Sequence, residues 1–171
     1  MTSYIKKKFI FFYLSTGFGA AALQLLLYYY QVDNVNSALT EYGLSTLQIN
    51  AFYQSAELPT SAINMIGEGQ LSSAFNAFRS VMVGASGALY GVLVGFAMLF
   101  PNAQLMLLFP PIPVKAKFLV PILIFADLFF GFSSYSIGPV AHFAHVGGAV
   151  TGLVMMWYWK KNQFNNNRWD L

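Results

Sequence analysis

His142 and His145 are the only two histidines in this 171-residue chain, which contains no cysteine. Imidazole is the side chain best suited to moving protons near neutral pH. Without thiols, a side-chain nucleophile of the usual kind is a hydroxyl, and neither a disulfide framework nor a thiolate metal site can form. Both histidines lie in one apolar run, Ala141-His142-Phe143-Ala144-His145-Val146-Gly147-Gly148, and a second run holds Gly84-Ala85-Ser86-Gly87-Ala88-Leu89-Tyr90-Gly91. A serine and a histidine on separate segments can act as nucleophile and base if the fold brings the hydroxyl within about 3 Å of a ring nitrogen. His142 is a rival to His145, and we expect it to be secondary, because the Gly-Gly pair follows His145. Tyr90 lies four residues after Ser86, on the same helical face, where it can pack on the imidazole. Asp127, the one acid in a third apolar run, reads as paired or neutral inside a bundle rather than catalytic. Two histidines and scattered acids share no ligand spacing, so no metal is expected, and no residue pattern calls for a cofactor.

These residues need elements that can hold them in lipid. Hydrophobic residues make up 57% of the chain and charged ones 9%, against roughly 25% charged in a soluble domain. So few charges cannot cover a water-facing surface, and 17 Phe with 10 Tyr suit a bilayer and its interfaces. The net charge of +3 forms no basic stripe with interleaved aromatics, which excludes a nucleic-acid partner. Four apolar segments stand out, at about 9–30, 81–100, 118–133 and 137–159, each read as a membrane-crossing helix. The first follows Lys6, Lys7 and Lys8 and resembles a signal peptide, but at 22 uncharged residues it is too long and lacks a small-residue cleavage pattern. Four crossings put those lysines, Lys115 with Lys117, and Lys160 with Lys161 and Arg168 on one side of the membrane, the cytoplasmic side by the positive-inside rule. Both termini are then cytoplasmic, and a bacterial inner membrane is expected. Residues 31–80 and the short loop Ser134–Ser136 fall on the opposite side. Within the long loop, Ser45 is expected to cap a short helix through about Leu58 that Pro59 ends, and Leu71–Arg79 to form another. Residues 160–171 read as a cytoplasmic tail, and the whole chain, 1–171, as a single all-α, polytopic membrane domain.

Counting places the candidate pair at one depth. Ser86 lies 14 residues before Phe100, and His145 lies 14 before Trp159, so both sit roughly 21 Å above the cytoplasmic boundary. Gly87, Gly91 and Gly95 recur every four residues, as do Gly148 and Gly152. Such ridges of small residues let helix backbones approach closely in lipid. Taken singly, a serine in a membrane helix is commonly structural, bonding back to its own backbone, and a glycine ridge commonly means packing alone. The matched depth and the adjoining glycines make the pair a candidate. A soluble nucleophile elbow fits poorly, since position 88 is Ala where GxSxG needs Gly.

Gly84-Ala85-Ser86-Gly87 resembles the GxSG motif of rhomboid intramembrane proteases, and Ala144-His145-Val146-Gly147-Gly148 resembles their AHxGG motif on the last core helix. The start, Lys8–Leu14 with Gly17 and Gly19-Ala20-Ala21, is similar to the family's third helix. The resemblance implies a rhomboid-like bundle in which Ser86 attacks a peptide carbonyl and His145 is general base, without an aspartate, while Tyr90 stacks on the histidine. It implies transmembrane protein substrates cut near the outer end of the span. Residues 31–80 exceed the family's usual connection. The family's first two helices, and the HxxxN motif that helps form its oxyanion hole, have no counterpart, so a truncated chain is expected. Two other functions stay open at this point. One is a rhomboid-like protein that binds transmembrane segments without cutting them. The other is a transporter or channel fragment, which Asp127 and the histidines suggest but which lacks broken-helix repeats.

Overall fold

The computed structural model describes residues 2–82, 84–107, 111–132 and 141–162. Among them are seven helices: α1 (Thr2–Glu41), α2 (Thr46–Ser55), α3 (Thr60–Ile66), α4 (Glu68–Arg79), α5 (Ser86–Leu99), α6 (Ala116–Phe132) and α7 (His142–Lys161). A small antiparallel ribbon, β1 (Gln104–Met106) with β2 (Pro113–Lys115), pairs Leu105 with Val114 between α5 and α6. The protein is an all-α bundle. The expected loop Ser134–Ser136, the first residues of the expected fourth helix and most of the tail lie outside the described residues.

Contacts gather into two compact units, Met1–Gln24 with Gly84–Leu171, and Leu25–Val83. In the first, α5, α6 and α7 pack together with the first part of α1. The helices meet where side chains are smallest. A Cβ on Gly87 would strike Ala20, one on Gly91 would strike Thr16, and one on Gly95 would lie 3.3 Å from Phe12. On α7, a Cβ on Gly148 would collide with the carbonyl oxygen of Gly87, and one on Gly152 would lie 2.7 Å from the Cα of Gly91. The glycines of α5 thus receive side chains of α1 and the backbone of α7, so that α5 and α7 meet main chain to main chain. Thr16 is fully buried; its hydroxyl donates to the carbonyl of Tyr13 at 2.9 Å and lies 3.3 Å from that of Ala88.

Large apolar side chains point outward instead. Phe118, Ile122, Phe125, Phe129 and Phe132 are all exposed along α6, as are Phe11, Leu14, Phe18 and Leu25 on α1. An apolar exterior around a core of glycine, alanine and a few polar groups is the arrangement expected when lipid is the solvent. Among the described helices, α1 alone is long and apolar enough to cross a membrane by length and composition, and α5 is a shorter apolar helix. Lys117 lies over the ring of Phe118 and Lys161 over that of Trp157, at 5.2 and 5.1 Å, pairings suited to the headgroup boundary.

Of the boundaries that differ from those expected, two have a clear local cause. The first helix continues past Tyr30 to Glu41, because residues 31–41 carry no Gly or Pro, and Val35 and Leu39, four apart, bury themselves in the second unit. It stops at Gly43, whose φ of +100° favours glycine, with Leu44 N–H donating to the carbonyl of Leu39. The second expected helix does not begin at Val81: α5 starts at Ser86, since Gly84 at φ +111° is in a left-handed conformation that a right-handed helix cannot include.

The second unit packs Val35, Leu39, Ile49, Phe52, Tyr53, Leu71 and Ala74 into one core. Ser45 caps α2 through a capping box with Gln48, as the sequence predicts, but α2 ends at Ser55, short of the expected Leu58, because Ala56 takes a left-handed φ of 60° before Pro59 is reached. Tyr53 donates its hydroxyl to Asn36 Oδ1 at 2.8 Å, and burial pushes its phenol above the ordinary range.

Candidate active site

Ser86 is the first residue of α5, and its side chain is exposed. The left-handed Gly84 just before it turns the chain sharply into the helix. Ala85, the residue flanking the helix start, makes no side-chain cap. His145 is the fourth residue of α7, so both groups sit at the N-terminal ends of their helices, at one level. The close approach of Gly148 to Gly87 lets the side chains meet: Ser86 Oγ lies 3.0 Å from His145 Nε2. Tyr90, one turn below Ser86, stacks face to face on the imidazole, with ring centroids 4.3 Å apart and planes 6° from parallel. The stack fixes the ring plane, and the serine contact occupies one of its nitrogens.

The other nitrogen is also engaged. His145 Nδ1 lies 3.0 Å from Asp127 Oδ1, and His142 Nδ1 lies 2.7 Å from that same oxygen. Asp127 projects from α6 and is 5% exposed, so three helices contribute to the cluster. His142 and His145 are three residues apart on one face of α7, yet only His145 meets Ser86; His142 leans on Phe130, with ring centroids 6.0 Å apart. Asp127 Oδ2 and His142 Nε2 are buried without a hydrogen-bond partner among the described residues. The ligating atoms of Asp127, His142 and His145 lie within 4.8 Å of one another, near enough for one ion to reach all three. Both imidazole Nδ1 atoms, however, already point at a single carboxylate oxygen.

The sequence-predicted residues Ser86, His145 and Tyr90 come together, with Gly84 shaping the entry to α5 and Gly87, Gly91, Gly148 and Gly152 at the helix contacts. Asp127 is paired, as expected, and its partners His142, His145 and Tyr90 are ones that the sequence does not indicate. Gln24 is a further buried polar group: it is 4% exposed on α1, with Oε1 lacking a partner among the described residues, and its only signal in the sequence is an amide in a long uncharged run. An apolar cavity of about 230 Å³ lined by Phe12, Gly95, Phe96 and Trp159 sits away from the serine, toward the opposite ends of α5 and α7.

Residues 40–162 match the rhomboid domain. The match covers well over half of the chain and leaves Phe9–Tyr30 outside it. Rhomboid protein 1, mitochondrial, of Saccharomyces cerevisiae is 35% identical to this chain over 81 residues, which is 46% of this chain and 22% of that protein. The chain therefore spans about a fifth of the length of that relative. No solved structure matches it. Helices whose glycine faces bring a serine on α5 against a histidine on α7, in a chain whose exterior suits lipid, agree with what the domain match says directly: this protein is an integral membrane protein that belongs to the rhomboid family.

Proposed function

We propose that this protein is an intramembrane serine endopeptidase in which Ser86 is the nucleophile and His145 the general base. The observation that carries the reading is the 3.0 Å contact between Ser86 Oγ and His145 Nε2, with Tyr90 stacked on the same ring. His145 Nε2 takes the hydroxyl proton as Oγ bonds to the scissile carbonyl carbon. The tetrahedral oxyanion collapses, the C–N bond breaks, and His145 returns the proton to the departing amine. Water then hydrolyses the ester by the same steps in reverse order. The backbone N–H of Ser86 is one of the first four amides of α5, which have no intrahelical acceptor. It is a donor for the oxyanion at the positive end of the helix.

The proposed substrates are transmembrane segments of other membrane proteins. A site walled by helices in lipid receives its substrate from the bilayer, and the serine lies at a helix end, where water reaches it. Sharing one side of the membrane, Lys6–Lys8, Lys115, Lys117, Lys160 and Lys161 make both ends of the chain cytoplasmic in this reading. A mitochondrial relative lends no support to the bacterial inner membrane expected above.

The test is cleavage of a single-span substrate in proteoliposomes by the wild-type chain, Ser86→Ala, His145→Ala and His142→Ala. Turnover is expected to vanish in the first two variants, and equal turnover in all four would remove the proposal. Covalent labelling of Ser86 by a fluorophosphonate separates it from a protein that only binds transmembrane segments.

A further inference from the structure

A carboxylate within a membrane bundle is costly unless something compensates it, and Asp127 is compensated in a particular way. Two imidazoles, three residues apart on α7, converge on its Oδ1 at 2.7 and 3.0 Å, while Oδ2 has no partner among the described residues. Tyr90, whose ring stacks on His145, also brings its hydroxyl to this carboxylate. The two imidazoles meet at a single oxygen, which stands between the rings. We infer that Asp127 is a positioning residue for His145, and that His142 acts through Asp127 by fixing that oxygen; the inference rests on the reading of Ser86 and His145 as nucleophile and base.

The chemistry follows from which atoms can donate. An ionised carboxylate only accepts, so His145 carries its hydrogen on Nδ1 and donates it to Asp127. A neutral imidazole with hydrogen on Nδ1 has its lone pair on Nε2, the atom that faces Ser86 Oγ at 3.0 Å. That is the one tautomer able to receive the serine proton. With no acceptor at Nδ1, the hydrogen is free to sit on Nε2, which then donates to Ser86 and cannot act as base. Once the proton has moved, the imidazolium stands beside the buried carboxylate, where opposite charges interact more strongly than in water. The resemblance drawn from the sequence implied a pair working without an aspartate; in this chain a third side chain is in contact. His142 does not reach Ser86 and takes no proton from it. Its donor lies nearer Oδ1 than that of His145, and it keeps the oxygen from swinging away when the charge on His145 changes.

The test uses the full chain in proteoliposomes, with single-span substrate kinetics and ¹⁵N spectra of ring-labelled histidine. The chain has only two histidines, so His142→Phe assigns the spectrum. Asp127→Asn is expected to lower kcat by roughly 10²- to 10⁴-fold, the upper figure being that of the same change in a serine-protease triad, with KM within about twofold. His142→Phe is expected to lower kcat by about tenfold alone and not at all on top of Asp127→Asn, because the two act through one contact. The His145 spectrum is expected to show hydrogen on Nδ1 in the wild type, and a shift toward Nε2 in both Asp127→Asn and the donor-free Asp127→Leu. A purely structural role lowers the melting temperature and leaves kcat of the folded fraction and the tautomer alone. Asp127→Asn with kcat within threefold of wild type, or an unmoved tautomer in both Asp127 variants, overturns the inference. If Ser86→Ala cleaves as well as the wild type while the tautomer still follows Asp127, the protease reading fails and the positioning contact stands. If no chain turns over, the spectra decide.

Discussion

Substituting Gly152 by alanine tests whether the reactive contact depends on backbone packing between α5 and α7. A Cβ at position 152 would lie 2.7 Å from Gly91 Cα, 2.8 Å from its carbonyl oxygen and 3.1 Å from its carbonyl carbon. All three atoms are main chain, so no side chain can rotate away. Ordinary van der Waals contact begins at 3.4 Å, which requires the helices to part by at least 0.7 Å (3.4 − 2.7). The same opening carried to the Ser86–His145 contact takes it from 3.0 Å to about 3.7 Å, beyond hydrogen-bond length. Overpacking of this kind costs about 1–3 kcal/mol, and misplacement by 1 Å can cost roughly 10²-fold in rate. We expect Gly152→Ala to slow fluorophosphonate labelling of Ser86 by roughly 10- to 100-fold and to lower the melting temperature in detergent. Gly148→Ala is expected to be worse, since its Cβ meets the carbonyl oxygen of Gly87, the residue next to the nucleophile. Gly69→Ala is the control: a Cβ there meets nothing within 4 Å, and it is expected to label at the wild-type rate. Labelling of Gly152→Ala within twofold of wild type at an unchanged melting temperature would refute the packing argument, as would equal damage from Gly69→Ala.

Two other outcomes follow from local contacts. Tyr90→Phe keeps the ring stacked on His145 but removes the hydroxyl that meets Asp127, and is expected to lower kcat less than Tyr90→Ala, which also removes a stack worth about 0.5–1.5 kcal/mol and is expected to lower kcat by roughly tenfold or more, measured on the same single-span substrate. Ser45→Ala breaks both halves of the capping box on α2, a loss of about 0.5–2 kcal/mol, and is expected to speed amide exchange across Thr46–Ser55 by up to about 30-fold, while Ser45→Thr preserves protection.

The parts of the site that could be read from the sequence are those whose geometry repeats along a single helix. Gly87, Gly91 and Gly95 have a period that identifies a packing face without knowledge of the partner, and Tyr90 follows Ser86 by one turn, so its place on the same face is fixed by helix geometry alone. The equal depth of Ser86 and His145 came from counting residues back from apolar boundaries. What could not be read is whatever depends on one element meeting another. Asp127 was visible as an acid among apolar residues, but no spacing rule links a residue on α6 to His142 and His145 on α7. The extension of α1 to Glu41 depends on Val35 and Leu39 finding a core built from α2 and α4, which hydropathy along α1 alone does not reveal.

The start of α5 was also hidden, and it bears most directly on the proposed chemistry. Hydropathy runs unbroken from Val81 to Phe100, which favours one helix through that whole range. In such a helix the Ser86 N–H would be bonded to the carbonyl of residue 82, four positions back, and its hydroxyl could turn back onto its own backbone. Neither group would be available to a substrate. Gly84 at φ +111° prevents this by forcing the helix to begin two residues later. Ser86 then has an amide outside the helical hydrogen-bond ladder, the positive end of the helix dipole and a hydroxyl directed at His145. Replacing Gly84 by a residue with a Cβ places that Cβ in open space but strains the backbone by about 1–3 kcal/mol. The strain is relieved if the helix extends backward, and the serine is then returned to the interior of a continuous turn. On this argument the first glycine of the motif serves the amide of Ser86 as much as its hydroxyl.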